Sequence, residues 1–382
     1  MNMQSWVKKE KIKTLKIKCV RFVIRALYFL PIKKNRIVFF SFEGKQYSCN
    51  PKAISEYIET TYPGRFEIIW AFNNTNKHKY LEKHGIKVVK YKSIKRILLQ
   101  ITAKYSINNT GSYSWLPVRK GQHHINTWHA GGAYKRLQHD PNTDYNRKLT
   151  AKETTLMISS CKLFTKYNLW EQFSYRGKLL NIGMPRNDIL FNKEAMDNKS
   201  ALVRKKYKID IKSMVVLFAP TWRYDGNIPC FDIKKVKSFL AEKYGTEVVV
   251  MVRNHSLSDK KYNESLDVSD YEDMQDLLCT ADILITDYSS SIWDYSFTYK
   301  PCFLYVPDLD KYTAEQGFYT DIHTWGFPLC HNDDELLDMM DHYDENEFRL
   351  KMDNHHKLYG SYEKGTATKE FCERLFGKVN SK

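Results

Sequence analysis

From residue 36 onward the chain alternates short β-branched and aromatic runs with longer helix-compatible stretches, the pattern of parallel strands joined by crossover helices. Runs with strand character fall at 37–42, 66–72, 87–91, 105–108, 124–128, 156–160 and 179–183, and residues 51–62 read as a helix. A lysine-rich, helix-prone stretch near 192–212 precedes a second series at 214–219, 247–252, 283–286 and 302–305. The pattern predicts an α/β fold of two Rossmann-like domains, 35–195 and 196–382, with helices over about 333–376 packed across the outside. Two such domains facing one another place a ligand cleft between the carboxyl ends of their strands.

Residues 1–34 follow a different pattern. Counted to residue 36, this end holds eleven Lys and Arg and one Glu, a balance of +10 out of +16 for the chain. Trp6, Val7, Ile12, Leu15, Ile17, Val20, Phe22, Val23, Ile24, Leu27, Phe29 and Leu30 are interleaved with the cations, and Pro31 stops the helix. A basic amphipathic helix of this kind suits an anionic membrane surface, where each cation near the headgroups contributes about 1 kcal/mol. The alternatives are a basic helix packing on the protein's own body and a nucleic-acid arm, and such arms rarely need so many large apolar side chains.

Composition narrows the class further. A chain of 382 residues that is 42% hydrophobic and 14% aromatic is neither disordered nor a single core. It has no uninterrupted apolar run of about 18 residues, so a polytopic membrane protein is not expected. The eight cysteines form no CxxC pair, and most lie in apolar runs such as Cys302 in 301–305, which favours a reducing compartment. The first residues lack the apolar core and cleavage site of a secretion signal.

Polar clusters fall where strands end. The first is 126–135, in which Trp128 and His129 enter a small-residue turn followed by Lys135 and then Asp140. An imidazole there suits phosphate contact or general-base work, although a lone histidine is usually structural. In 183–188, Gly-x-Pro fixes a turn from which Arg186 can grip a phosphate or carboxylate; the same residues also read as a turn before a helix cap. Arg253 and His255, two apart on an extended backbone, share one face and make an anion site, or ordinary surface decoration. In 281–295 an apolar strand runs through Asp287 into Ser289, Ser290 and Ser291 and opens a helix carrying Asp294. Its free N–H groups, hydroxyls and dipole suit phosphate, though serines are also common caps. Asp308 and Asp310 have DxD spacing but sit in a polar turn, so no metal site is expected.

Taken in order, these segments resemble the teichoic-acid CDP-glycerol glycerophosphotransferase family. Its characteristic segments are a Trp-His-Gly turn with a following Lys, Gly-x-Pro-Arg-Asn-Asp, Arg-x-His-Pro, and Asp-x-Leu-Ile-Thr-Asp-Tyr-Ser-Ser followed by Asp-Tyr. They stand here as Trp128-His129 with Lys135, 183–188, 253–255 and 282–295, and 316–321 resembles the family's Gly-Phe-Tyr segment. Ala130 replaces a Gly, 131–134 replace a Thr-Pro-Leu-Lys type sequence, and Ser256 replaces a Pro.

The resemblance implies a GT-B-like fold and a short, priming-type member. Such an enzyme transfers glycerol phosphate from CDP-glycerol, or ribitol phosphate from CDP-ribitol, to a hydroxyl of an undecaprenyl-type lipid-linked acceptor and releases CMP. His129 and His255 are then the catalytic residues. Arg253, Ser289, Ser290, Ser291, Asp287, Asp294 and Arg186 face the donor, and Lys135, Trp128 and Asp140 the acceptor. No cofactor and no nucleic acid are expected, and the place of work is the cytoplasmic face of the membrane. The alternatives are a GT-B glycosyltransferase using a nucleotide sugar on a similar acceptor, and a non-catalytic membrane or nucleic-acid binder whose polar clusters are capping devices.

Overall fold

The computed structural model describes residues 3–111, 113–136, 144–223, 225–254 and 262–378. Seven parallel strands form the first sheet: β1 (Lys33–Phe40), β2 (Glu67–Phe72), β3 (Lys87–Lys90), β4 (Ala103–Asn108), β5 (His123–Asn126), β6 (Leu156–Ser159) and β7 (Lys178–Asn181), in the order β3-β2-β1-β4-β5-β6-β7. Six more parallel strands form the second: β8 (Met214–Phe218), β9 (Val248–Val252), β10 (Leu266–Asp267), β11 (Ile283–Thr286), β12 (Cys302–Tyr305) and β13 (Leu329–Cys330), in the order β10-β9-β8-β11-β12-β13. The expected pair of parallel sheets is therefore present. Both are covered on their two faces, which is why central strands such as Ile283–Thr286 are buried throughout and read as unbroken apolar runs.

The differences from the sequence reading have local causes. β1 begins at Lys33, because its exposed polar start pairs with Ala103 across a register shift before the apolar run begins. β10 and β13 are two-residue edge strands, too short to carry a hydrophobic period.

In each sheet the chain leaves its first strand in opposite directions, so a crevice opens at the carboxyl ends between β1 and β4, and again between β8 and β11. The polar clusters emerge at the carboxyl ends of β5, β7, β9 and β11, the edge on which these crevices open. The lobes are tied together at several points. Lys52 of the helix Cys49–Thr61 pairs with Asp273 at 2.7 Å, and Glu272 accepts from the Tyr47 amide at 2.7 Å. The last helix, Ala367–Phe376, returns to the first lobe instead of lying on the outside of the second. There Phe376 meets the edges of Tyr62 and Tyr105, at centroid distances of 6.0 and 5.1 Å.

The N-terminal helix spans Met3–Ala26. Its last turns dock: Arg21 is buried against Glu153 and donates to the Ser114 carbonyl at 2.9 Å, and Ile24 packs with Ile101 and Leu116. On the other side of these last turns Phe22 is 75% exposed beside Lys18 and Arg25, and Phe29, in the turn after the helix, is 79% exposed. No helix among the described residues is long and apolar enough to cross a membrane.

Candidate active site

His129 is delivered by the turn after β5. The Asn126 side chain accepts from the Trp128 amide at 2.9 Å, Trp128 takes a left-handed φ of 52°, and Asn50 donates to the Trp128 carbonyl at 3.0 Å. The imidazole leans over the β1/β4 crevice between Phe42 and Trp128, with centroids 5.3 and 4.4 Å away. Its Nδ1 lies 2.7 Å from the carbonyl oxygen of Asn109. A carbonyl only accepts, so Nδ1 carries the proton and Nε2 keeps its lone pair. Burial, with Arg186 and Lys135 nearby, pulls the ring down to about 4 against the pull of the Asn109 bond, so it is neutral at physiological pH.

The turn then crosses to the other lobe. Gly131 abuts the Trp293 indole so closely that a Cβ would lie 2.1 Å from Trp293 Cδ1, and Gly132 has φ of 66°. The small residues at 131 and 132 are therefore required by this packing. Lys135 forms an antiparallel bridge with Phe318, the Arg136 amide donates to Gly317 O at 3.0 Å, and the Tyr319 amide to Tyr134 O at 2.7 Å. This makes the segment 316–321 the second lobe's grip on the His129 turn. Lys135, expected on the acceptor side, faces Asp287 and Arg223 of the second lobe, and burial lowers its pKa.

In the second lobe, the β8/β11 crevice holds a cage built around Arg223, which sequence reasoning missed. Its guanidinium forks onto Asp308 at 2.8 and 3.2 Å, meets Asp287 at 2.9 Å, and lies 5.0 and 4.8 Å from the ring centroids of Tyr288 and Tyr312, which stack on each other. Asp287 also accepts from the Thr221 and Tyr288 amides. Both carboxylates are committed inside the cage. Asp287 therefore braces the turn rather than touching a donor, and Asp308 is the partner of an arginine.

Arg253 differs. Its side chain meets the Glu272 carbonyl at 3.2 Å, and among the described residues no carboxylate lies within ion-pair distance; burial lowers its pKa. Ser289 and Ser291 share a hydroxyl contact of 3.0 Å, and no described group accepts from the amides of Ser289 and Ser290. The helix they open, Ser291–Ser296, has six residues, so amides and hydroxyls outweigh any macrodipole here. A cavity of about 530 Å³ opens beside Arg223 and Asp308, lined also by Ile228 and Tyr312.

Arg186 and Asp294, both expected at the donor, are buried and paired with each other: Nε–Oδ2 and Nη2–Oδ1 are each 3.0 Å. Nη1 also reaches Cys49 Sγ at 3.4 Å, so each guanidinium nitrogen already has a partner inside the buried clasp. Asp188 caps the last helix through the amides of Ala367 and Thr368, at 2.9 and 2.7 Å. Asp140 and His255 lie outside the described residues. Arg223 follows a strand in an ordinary polar turn, and no spacing marks it; only the Trp222-Arg223 pair at a strand end could have drawn attention.

The sequence profile of the family described as CDP-Glycerol:Poly(glycerophosphate) glycerophosphotransferase matches residues 22–377. The chain is 31% identical over 371 residues to a teichoic acid glycerol-phosphate transferase of Staphylococcus aureus (strain NCTC 8325 / PS 47), covering 90% of this chain and 93% of that one. To a teichoic acid poly(glycerol phosphate) polymerase of Bacillus subtilis (strain 168) it is 30% identical over 373 residues. That match covers 89% of this chain and 49% of the relative, so the chain spans about half that protein's length. Among solved structures, the wall teichoic acid polymerase TagF superimposes with a TM-score of 0.77 at 26% identity, covering 98% of both chains, and a TagF variant soaked with CDPG gives 0.76 at 25% identity, again covering 98% of both.

Proposed function

Because the chain belongs to the CDP-glycerol:poly(glycerophosphate) glycerophosphotransferase family of enzymes, we propose that it moves glycerol phosphate, or a related polyol phosphate, from a CDP-activated donor to a hydroxyl of a lipid-linked acceptor in teichoic acid or related surface-polymer synthesis. One observation carries this reading: His129 presents an unprotonated Nε2 from a turn that is bridged to the donor-side lobe through Lys135 and Phe318.

In the proposed reaction the acceptor hydroxyl gives its proton to His129 Nε2 and its oxygen forms a bond to the polyol-bearing phosphorus. The bond from that phosphorus to the bridging oxygen breaks, and CMP leaves with the electron pair. The amides of Ser289 and Ser290, with Lys135 and Arg253, supply donors and positive charge where the pyrophosphate gains negative charge. The cavity beside Arg223 has the size of a nucleoside site and receives the cytidine. His255 is assigned to the same phosphate cluster from its place two residues after Arg253. The bound diphosphate would also raise the His129 pKa toward neutrality, which makes the ring a stronger base once the donor is present.

The exposed Phe22, Val23 and Phe29 beside Lys18 and Arg25 support attachment to an anionic membrane surface, and the proposed place of work is its cytoplasmic face. The test of the reaction is nucleotide release from a panel of CDP-glycerol, CDP-ribitol and UDP-sugars, with mass spectrometry of the lipid product. CMP release from a CDP-polyol supports the reading, and turnover of a UDP-sugar alone overturns it.

A further inference from the structure

Glu363 lies in the crossover between the helices Glu345–Tyr359 and Ala367–Phe376, in a stretch with no motif character. It is buried, and it accepts from three residues of two segments at once. Its Oε2 takes the Met184 amide at 3.0 Å, and its Oε1 takes the Asn187 side chain at 3.2 Å and the Trp293 indole N–H at 3.1 Å. It also sits directly beneath the 183–188 turn: a Cβ on Gly183 would lie 2.6 Å from Glu363 Oε2.

The indole it holds touches both halves of the site. Trp293 is two residues past Ser291, and its ring edge presses on Gly131, two residues past His129. The next residue, Asp294, clasps Arg186 of the same turn that Glu363 caps. These contacts close a ring from Glu363 through Trp293, Asp294 and Arg186 back to Met184 and Asn187.

We propose that Glu363 is a positioning residue: it fixes the rotation of Trp293, and through that indole it sets the spacing between the His129 turn and the serine turn. The inference rests on the reading that these two turns act on one donor. The geometry gives one carboxyl group control over both, because each turn is in contact with the ring or two residues from it. Burial pushes the Glu363 carboxyl up to about 8, against the pull of its N–H donors and of Arg186 and in concert with Asp294. A group kept in so costly a setting makes contacts that a smaller apolar residue would not replace.

The test uses the full chain with Glu363→Leu, Glu363→Gln and Trp293→Phe. Glu363→Leu removes every acceptor, Glu363→Gln keeps one, and Trp293→Phe removes the indole N–H. Amide hydrogen exchange should accelerate at least tenfold in peptides covering 129–136 and 289–296 for Glu363→Leu and Trp293→Phe, while β2 stays protected. With CDP-glycerol, kcat should fall by about 10- to 100-fold at unchanged donor KM, the size expected for a misplacement near 1 Å. Glu363→Gln should recover part of that loss, and the pair Glu363→Leu with Trp293→Phe should be no worse than Glu363→Leu alone. Unchanged exchange at 129–136 overturns the inference, as does a loss confined to KM. Should Glu363→Leu fail to fold, Glu363→Gln and Trp293→Phe decide by the same exchange measurement. A wild-type chain inert toward CDP-glycerol would sink the proposed donor and leave the exchange result to decide on Glu363.

Discussion

Replacing Asp294 with Asn removes one charge from the Arg186–Asp294 pair and leaves its shape almost unchanged. Both side chains are about 95% buried, and the fork is met at 3.0, 3.0 and 2.9 Å. Breaking a buried pair from one side costs roughly 3–5 kcal/mol, because a desolvated guanidinium is left without its counter-charge. Gln275 adds to the penalty, since its amide also donates to Asp294 Oδ2 at 3.0 Å and an Asn amide would have to oppose either that N–H or the arginine. Chemical denaturation of wild type and Asp294→Asn in 50 mM and 500 mM salt measures the loss. A loss of about 3–5 kcal/mol, insensitive to salt, is expected, with most of it recovered in Arg186→Met/Asp294→Leu. The exposed Lys193–Asp197 pair at 2.8 Å is the control, and cutting it should cost less than about 1 kcal/mol. A loss below about 1 kcal/mol for Asp294→Asn, or one that salt abolishes, would refute the burial argument and return Arg186 to the list of donor contacts.

Acid should destabilise the fold before the carboxylates titrate. Burial holds His124 and His355 down to about 3, so each binds its proton more readily when unfolded; stability is complete above pH 6.5 and falls as pH drops, by up to about 1.4 kcal/mol per unit for each ring. Glu363, pushed up to about 8, works in the opposite direction, so thermal melts from pH 6.5 to 5 should show a net fall that flattens in His124→Leu. Arg253→Ala should raise the donor KM by about tenfold or more with little change in stability, read by steady-state kinetics and thermal melts, because among the described residues the guanidinium has no carboxylate within ion-pair distance to strand. Turnover should survive EDTA, since Asp308 is already held by Arg223; strict dependence on added divalent ions would contradict that assignment.

The two sheets were legible in the sequence because their strands are buried on both faces and read as apolar runs. The clusters at strand ends were legible for the same reason, since a polar segment after such a run marks the carboxyl edge of a parallel sheet. What escaped was anything fixed by contact across long separations. Arg186 suggests a phosphate ligand and Asp294 a donor contact, and only their meeting 108 residues apart makes them a clasp. The family resemblance implies an acceptor-side Lys135, while the β-bridge at Phe318 turns it toward the other lobe. Arg223 and Glu363 carry no local pattern, because a buried ion cage and a three-donor carboxyl are built from turns that look ordinary one at a time.

The central claim is that Nε2 of His129, with its proton held on Nδ1 by the Asn109 carbonyl, takes the acceptor's proton while the other lobe holds the donor. His129→Asn tests it most directly, because the Asn amide can still donate to Asn109 while Nε2 is lost. Calorimetric binding of CDP-glycerol and transfer to a lipid acceptor analogue should be measured on the same preparation. Donor affinity within about threefold of wild type, with transfer lower by about 100-fold or more, is the expected pair of results. Transfer that persists in His129→Asn, or donor binding that disappears with it, would contradict the claim.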